Sequence, residues 1–333
     1  MERLRLRVWI LCVAVLWIAA AAFSEEVRKV EEKTFSLSQG GSVSLSADEG
    51  SIVVKAWDRE EVHLKMTKRA WGRSRREAER LLDEIEVQIQ ESRDRLVIRE
   101  VDRWRKNHFN FFDLFDGEFW TEKRWRSGVV DFELTVPRQV HLRLQSDEGD
   151  VEVSGTEGSL TIDADEGNVT VDDIVSDQIQ LTVDEGDVRV SGLDDAGKGL
   201  CKIDADEGSI FMEDCRIEEI DLSADEGEII LRDVKATRIG LSADEGNIEA
   251  DILTVEGGNY RMEAEEGDIE VSIPAEANLR VKLQTDEGRI DSDFDLSTRR
   301  TDDGEVKEGV IGRQDGLLRA FTEEGDILLI KRR

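Results

Sequence analysis

Cysteine, histidine and basic charge are all scarce in this sequence, and each shortage closes off a class of function. Three cysteines in 333 residues cannot scaffold a disulfide-rich fold, so stability must come from a packed core. The three histidines, His63, His108 and His141, stand at no spacing used by a metal site or a nucleophile and its base. Lysine and arginine number 45 against 77 Asp and Glu, a formal net charge of −32. Between His141 and Ile290 there are 41 acidic and 12 basic residues, a net of −29, so one segment holds nearly all the excess. Such a surface repels phosphate backbones and argues against a nucleic-acid partner. It is compatible with cations, basic proteins or basic polymers. Long apolar runs are also missing, with one exception near the start of the chain.

That exception, Val8 to Phe23, follows three arginines within the first seven residues and ends in Ala20-Ala-Ala-Phe-Ser24 before Glu25-Glu26. A basic start, an apolar stretch and a small-residue exit predict a secretory signal peptide over residues 1–24, cut after Ser24. The competing reading is a retained anchor, for which the run is slightly short. Cys12 lies too early in the run for lipid attachment and leaves with the peptide. The chain is therefore expected to be exported, to the periplasm, the cell surface or the medium.

What the sequence has in abundance is a repeat. Asp-Glu-Gly ends at Gly50, Gly149, Gly167, Gly186, Gly208, Gly227, Gly246 and Gly288, and Glu-Glu-Gly at Gly267 and Gly325. From Gly149 to Gly288 the steps are 18, 19, 22, 19, 19, 21 and 21 residues. Apolar or small residues recur seven, five and three places before the glycine, as in Ile220/Leu222/Ala224. They recur two and four places after it, as in Val188/Val190 and Ile229/Leu231. Period-two alternation marks half-buried strands. Each repeat thus reads strand, Asp-Glu-Gly turn, strand, and a second turn often carrying Asp or Gly. One unit cannot bury its apolar face alone, and stacking closes many such faces into one interior.

The predicted fold class is all-β, a parallel β-solenoid or β-helix of about ten short coils with one small α/β insertion near the N-terminus. The organisation read from the sequence is N-terminal strands and a first coil over 25–57, an insertion over 58–138, and the stack with its C-terminal coil over 139–333. Inward positions three before and two after the glycine differ by an odd number, so the chain must turn between them. Glycine supplies the positive φ, and the Asp two places earlier is expected to bond turn amides.

Within the insertion, Ser74 to Ile85 reads as a short amphipathic helix with Ala78, Leu81, Leu82 and Ile85 on one face. Val87 to Ile89 and Leu96 to Val101 read as a hairpin around Ser92-Arg-Asp-Arg95, and Val129 to Val136 as a strand stopped by Pro137. Trp104, Phe109, Phe111, Phe112, Phe115, Phe119, Trp120 and Trp125 are eight of the chain's nineteen aromatics, flanked by Arg103, Arg105, Lys106, Lys123, Arg124 and Arg126. Two readings fit this segment: a cap over the open end of the solenoid, or an exposed patch for a partner protein or a membrane interface. Thr301 to Asp315 reads as a polar hairpin or loop, and Leu318 to Ile330 as a last coil around Gly325.

From Val43 to Ile330 the chain resembles the bacterial putative-adhesin family, a domain of unknown function built as a β-solenoid. The resemblance rests on Ala56-Trp57-Asp58, the helix from Glu77 to Ile85, Leu134-Thr-Val-Pro137, and Gly309-Val-Ile-Gly312 before the final Glu-Glu-Gly-Asp-Ile coil. Relatives mostly carry Ser or Thr before the turn glycine, where this chain has Asp and Glu. The resemblance implies surface attachment.

Three groups of residues are candidates for chemistry. Stacked in register, Asp165, Glu166, Asp184, Glu185, Asp206, Glu207, Asp225, Glu226, Asp244 and Glu245 would repeat like charges every 4.8 Å or so. Two unit charges at that spacing repel by about 0.9 kcal/mol in water and about 3.5 kcal/mol at an effective dielectric of 20. Turn hydrogen bonds, splayed side chains or bound cations such as Ca²⁺ must offset this. The eight aromatics are candidate partner contacts. Cys201 and Cys215, seven places either side of Gly208, are read as buried thiols or as a disulfide. No catalytic motif stands out, because the carboxylate pairs recur alike in every coil. The expected function is a non-catalytic structural or binding module of the bacterial envelope. A Ca²⁺-dependent binder and a carbohydrate-active β-helix enzyme are the alternatives.

Overall fold

Alternation of buried and exposed side chains fixes the coil. The computed structural model describes residues 25–101, 128–194, 198–301 and 304–332. In the Gly227 coil, Ile220, Leu222, Ala224, Ile229 and Leu231 are each at most 1% exposed, while Asp221, Asp225, Glu226 and Glu228 face solvent. The strands before each glycine pair in parallel, with like positions side by side: Ile179 beside Cys201, Ile220, Ile239 and Tyr260 in turn. The strands after each glycine build a second parallel sheet, with Val151 beside Val169, Val188, Ile210 and Ile229. A narrow third side is held by single bridges linking Gln139, Glu157, Val175, Asp194 and Arg216. The two sheets enclose one continuous apolar interior. The expected parallel solenoid is the architecture.

The second turn also repeats. Six places after the column glycine stand Gly155, Asp173, Gly192, Asp214 and Asp233, all at positive φ between 50° and 72°. Asp and Gly are the residues that tolerate this conformation.

The stack does not follow chain order at its ends. β1 (Glu25–Ser36), β2 (Gly41–Glu49) and β3 (Ile52–Trp57) lead into β4 (Glu61–Gly72), α1 (Arg75–Glu84), β5 (Glu86–Glu91), β6 (Arg95–Val101) and β7 (Gly128–Pro137). The Gly50 coil, formed by β2 and β3, lies directly against the Gly149 coil, so it is part of the stack. On its outer side β6 pairs with β2 and β7 with β3, so two strands of the sequence-defined insertion form one more coil. Antiparallel strands then close this end: β4 on β7, β1 on β4, and β5 on β6.

At the other end the C-terminal coil around Gly325 is not last. Its strands Gly316–Glu324 and Ile327–Arg332 insert between the Gly267 and Gly288 coils. The Gly288 coil is outermost, and the antiparallel strand Gly304–Ile311 covers its strand Leu279–Glu287, with Ser297–Thr301 paired outside that. Tucking the Gly325 coil inside lets the preceding segment supply the antiparallel cover, which blunts a sheet edge. Ten column glycines give nine steps, a stack roughly 43 Å long at about 4.8 Å per step.

α1 begins at Ser74, whose Oγ accepts from the Glu77 amide at 3.3 Å, while the Glu77 carboxylate accepts from the Arg73 amide at 2.9 Å. This is a capping arrangement. Ala78 and Leu82 are buried, and Leu81 and Ile85 are half-buried.

Every column glycine has a carbonyl where a side chain would go. A Cβ on Gly208 would lie 2.2 Å from the Gly186 carbonyl oxygen, and one on Gly227 2.2 Å from that of Gly208. Both have φ in the left-handed range, +146° and +153°. The amides of the turn continue the ladder: Gly186 N–H donates to the Glu207 carbonyl and Gly208 N–H to the Glu226 carbonyl, at 2.8 and 2.9 Å. Gly208→Ala combines a disallowed φ with a backbone collision, and should cost about 3 kcal/mol. Thermal unfolding of the variant should show a fall of several degrees; an unchanged Tm would contradict the stacking geometry.

Candidate interaction surfaces

The Asp-Glu-Gly turns form one edge of the solenoid. Glu148, Glu166, Glu185, Glu207, Glu226, Glu245 and Glu266 stand in register, each opposite the next. Glu49 extends the column at one end, and Glu324 and Glu287 at the other. The structure therefore brings the glutamates of the sequence-predicted ladder into one column, with each Asp next to its Glu in sequence. All ten candidates from Asp165 to Glu245 are solvent-exposed. Among the described residues, no group of three or more Asp, Glu, His or Cys is arranged to hold a metal ion.

The residue after the glycine, which sequence reasoning passed over, caps the next turn. Asp150 Oδ1 accepts from the Asn168 amide at 2.9 Å, Asn168 Oδ1 from Asp187 at 3.1 Å, and Asp187 Oδ1 from Ser209 at 2.9 Å. The pattern resumes with Asn247 to Asp268, Asp268 to Asp326 and Asp326 to Arg289. These bonds reach across coils, so each needs the neighbouring winding in place. The residue one place after the glycine thus bonds turn amides, the role expected of the Asp two places before it. The signal was visible as recurrent Asp, Asn and Ser after the glycine.

The sheet faces are less uniform. On the sheet after the turns, Arg189, Phe211 and Ile230 are adjacent outward positions in register. The Arg189 and Arg232 guanidinium carbons lie 4.4 and 5.5 Å from the Phe211 ring centre. This is a small apolar and cationic island, and cation–π contacts of this kind hold the guanidinium planes over the ring. On the sheet before the turns, Arg261, Arg319 and Lys282 are likewise neighbours in register. Beside them a shallow depression of about 320 Å³ is lined by Asn259, Arg280, Gln314, Arg319 and Gly257 to Gly258. Such clusters of positive charge are conspicuous on a chain of net −32.

Cys201 and Cys215 are buried free thiols. Burial is the first cause that raises both pKa values, that of Cys215 to about 11. Cys215 Sγ donates to the Glu213 carbonyl at 3.1 Å. Neither is a nucleophile at neutral pH. The eight aromatics from Trp104 to Trp125, and residues 1–24 with the expected signal peptide, lie outside the described residues. Glu100, close to the acidic edge at the N-terminal end, is the carboxylate whose environment stands out. Burial raises its pKa from 4.5 to about 7, against the lowering effect of the Asp48 amide, which donates to its Oε2 at 3.2 Å. The neighbouring Asp48 and Glu49 charges raise it further.

The Toastrack DUF4097 family model matches residues 42–329. Among solved structures, the chain is similar to a putative adhesin from Bacteroides fragilis, at 12% identity and a TM-score of 0.46, covering 91% of this chain and 97% of that one. A putative lipid binding protein from Parabacteroides distasonis gives 12% identity and a TM-score of 0.40, with 91% and 97% covered. A putative adhesin from the same organism gives 10% and 0.31 over the same shares. No curated protein matches the chain.

The Glu100 environment has a consequence for pH. A carboxyl raised from 4.5 to about 7 is held protonated by the fold, so its stabilising effect is complete below pH 4.5 and is lost as pH rises through 7. Glu100→Gln keeps an acceptor for the Asp48 amide without the charge. It should stabilise the chain by about 1–2 kcal/mol at pH 8 and by almost nothing at pH 4.5, as read from denaturant unfolding at the two pH values. Equal effects at both would remove the assignment.

Proposed function

The chain belongs to the Toastrack DUF4097 family, and on that premise we propose that it is an exported, non-catalytic module of the bacterial cell envelope that works by binding, in the manner of an adhesin. In this reading residues 1–24 are a cleaved signal peptide, 25–57 the N-terminal strands and first coil, 58–138 the insertion, which lends two strands to a further coil, and 139–333 the main stack with its C-terminal coil. Among the described residues no helix is long and apolar enough to cross a membrane. The aromatic segment from Trp104 to Trp125 is a further contact surface in this proposal, for a partner protein or the membrane interface.

One observation carries the reading. The inward faces and the acidic edge repeat coil after coil, while the outward faces vary, and they gather an apolar and cationic island at Arg189, Phe211 and Ile230 and a basic row at Arg261, Arg319 and Lys282. Surface clusters of this type are contacts for partners rather than reaction centres. The test is capture from a bacterial envelope fraction by the immobilised chain. Arg189→Glu with Phe211→Ala, or Arg261→Glu with Arg319→Glu, should lower recovery of the captured component at least tenfold with the Tm unchanged. Equal recovery by both double variants would refute the reading.

The in-register glutamate column favours a second reading, a cation-dependent binder. Ca²⁺ at millimolar concentration should then raise the Tm more than Na⁺ of equal ionic strength, and more than Mg²⁺. Equal shifts would reduce the effect to screening of like charges.

A further inference from the structure

We propose that β1 is the interface of a symmetric dimer, in which the edge strands of two copies pair antiparallel about Val30. This goes beyond the binding role proposed above and does not depend on it. β1 pairs along its whole length with β4 on one side, and among the described residues no strand lies on the other. It is twelve residues long, with Val30 45% exposed. A long open edge is a template for another strand, and its sequence decides which.

The charges of β1 are complementary to themselves. In an antiparallel pair centred on Val30, Arg28 faces Glu32 of the second copy, Lys29 faces Glu31, and Val30 meets Val30. A two-fold axis generates each ion pair twice, as an isologous interface requires. A symmetric pair must be centred on one residue, so the registers can be enumerated. Centring on Arg28, Lys29, Glu31, Glu32 or Lys33 sets that residue against its own copy, like charge on like charge. Among symmetric registers that join seven or more residues of β1, Val30 is the one centre that avoids this. Like charges placed opposite each other in a sheet are unfavourable, so the strand admits one partner register and rejects its neighbours.

The single copy also lacks charges that this pairing would supply. Within the sheet, Arg28 stands opposite Arg69 and Lys29 opposite Lys68. Arg69 is taken up by Asp131 at 2.9 Å, and Glu31 is shared between Lys29 at 2.9 Å and Lys68 at 3.7 Å. In the dimer β1 lies between β4 and its own copy, and carboxylates of the second chain face the two basic residues from the open side. Because β1, β4, β7 and β3 are successive neighbours, the sheet would run unbroken through both molecules.

The measurement is light scattering after size exclusion on the purified chain from about 1 to 100 µM. The expected mass at the upper end is twice that of one chain. Arg28→Glu and Glu32→Arg should each raise the dimer dissociation constant at least tenfold, since each sets like charges opposite twice. Mixing the two variants should restore dimers, because the hybrid has opposite charges at every position. Unfolding curves check that both variants fold; Arg28→Glu also relieves the contact with Arg69. As a test of register, Val30→Cys should crosslink to its copy with copper phenanthroline as oxidant, two thiols giving one disulfide, while Thr34→Cys should not. A chain that stays monomeric throughout, dimers indifferent to both reversals, or crosslinking through Thr34→Cys in place of Val30→Cys would each overturn the proposal.

Discussion

The structure depends on the approach of one glycine to the next. Adjacent windings lie about 4.8 Å apart, and at the turn the carbonyl of one glycine occupies the place where the next would carry its Cβ. No other residue can stand in that column, so the column sets the pitch for both sheets. With the pitch fixed, the amide of each turn glycine meets a carbonyl of the following winding, and the residue after it caps the next turn. A turn that would otherwise interrupt the ladder is bonded on each side.

The same constraint explains how the chain tolerates its charge. Fixing the glycines fixes the glutamates beside them in one line, each facing its like in the next coil. Because these side chains reach into water, each contact repels by about 0.9 kcal/mol, far less than at low dielectric. The backbone bonds and the side-chain caps between windings act against it. The acidic edge is thus a consequence of register, and the outward faces of the sheets remain free to vary. They do so at Phe211 and around Arg319, where positive charge and apolar surface appear on an acidic molecule.

The ends obey a different requirement. A stack of parallel strands leaves backbone groups unpaired at both of its faces, and this chain treats the two alike. Each terminal coil lies one layer inside another parallel coil, and that outer coil is covered by antiparallel strands from the segment next to it in sequence. On the N-terminal side this cover ends, among the described residues, in β1, a strand with alternating blocks of opposite charge.

The sequence by itself determined the coil. Inward residues at fixed distances from each glycine, as in Ile220, Leu222, Ala224, Ile229 and Leu231, specify two strands and a turn, because period two and an odd spacing have one solution. It also determined α1 and the hairpin of β5 and β6, whose backbone bonds are local, and the alternation of β7, though not its distant partners β3 and β4. Tertiary structure alone decided which winding neighbours which. The repeats around Gly267, Gly288 and Gly325 look equivalent in sequence, and any of them could stack on any other. Their order follows from where antiparallel cover could reach, which no local pattern encodes. The residues Asp150, Asn168 and Asp187 recur visibly after the glycine, but the partner of each belongs to the next coil, 18 to 22 residues away, and only the stacking supplied it.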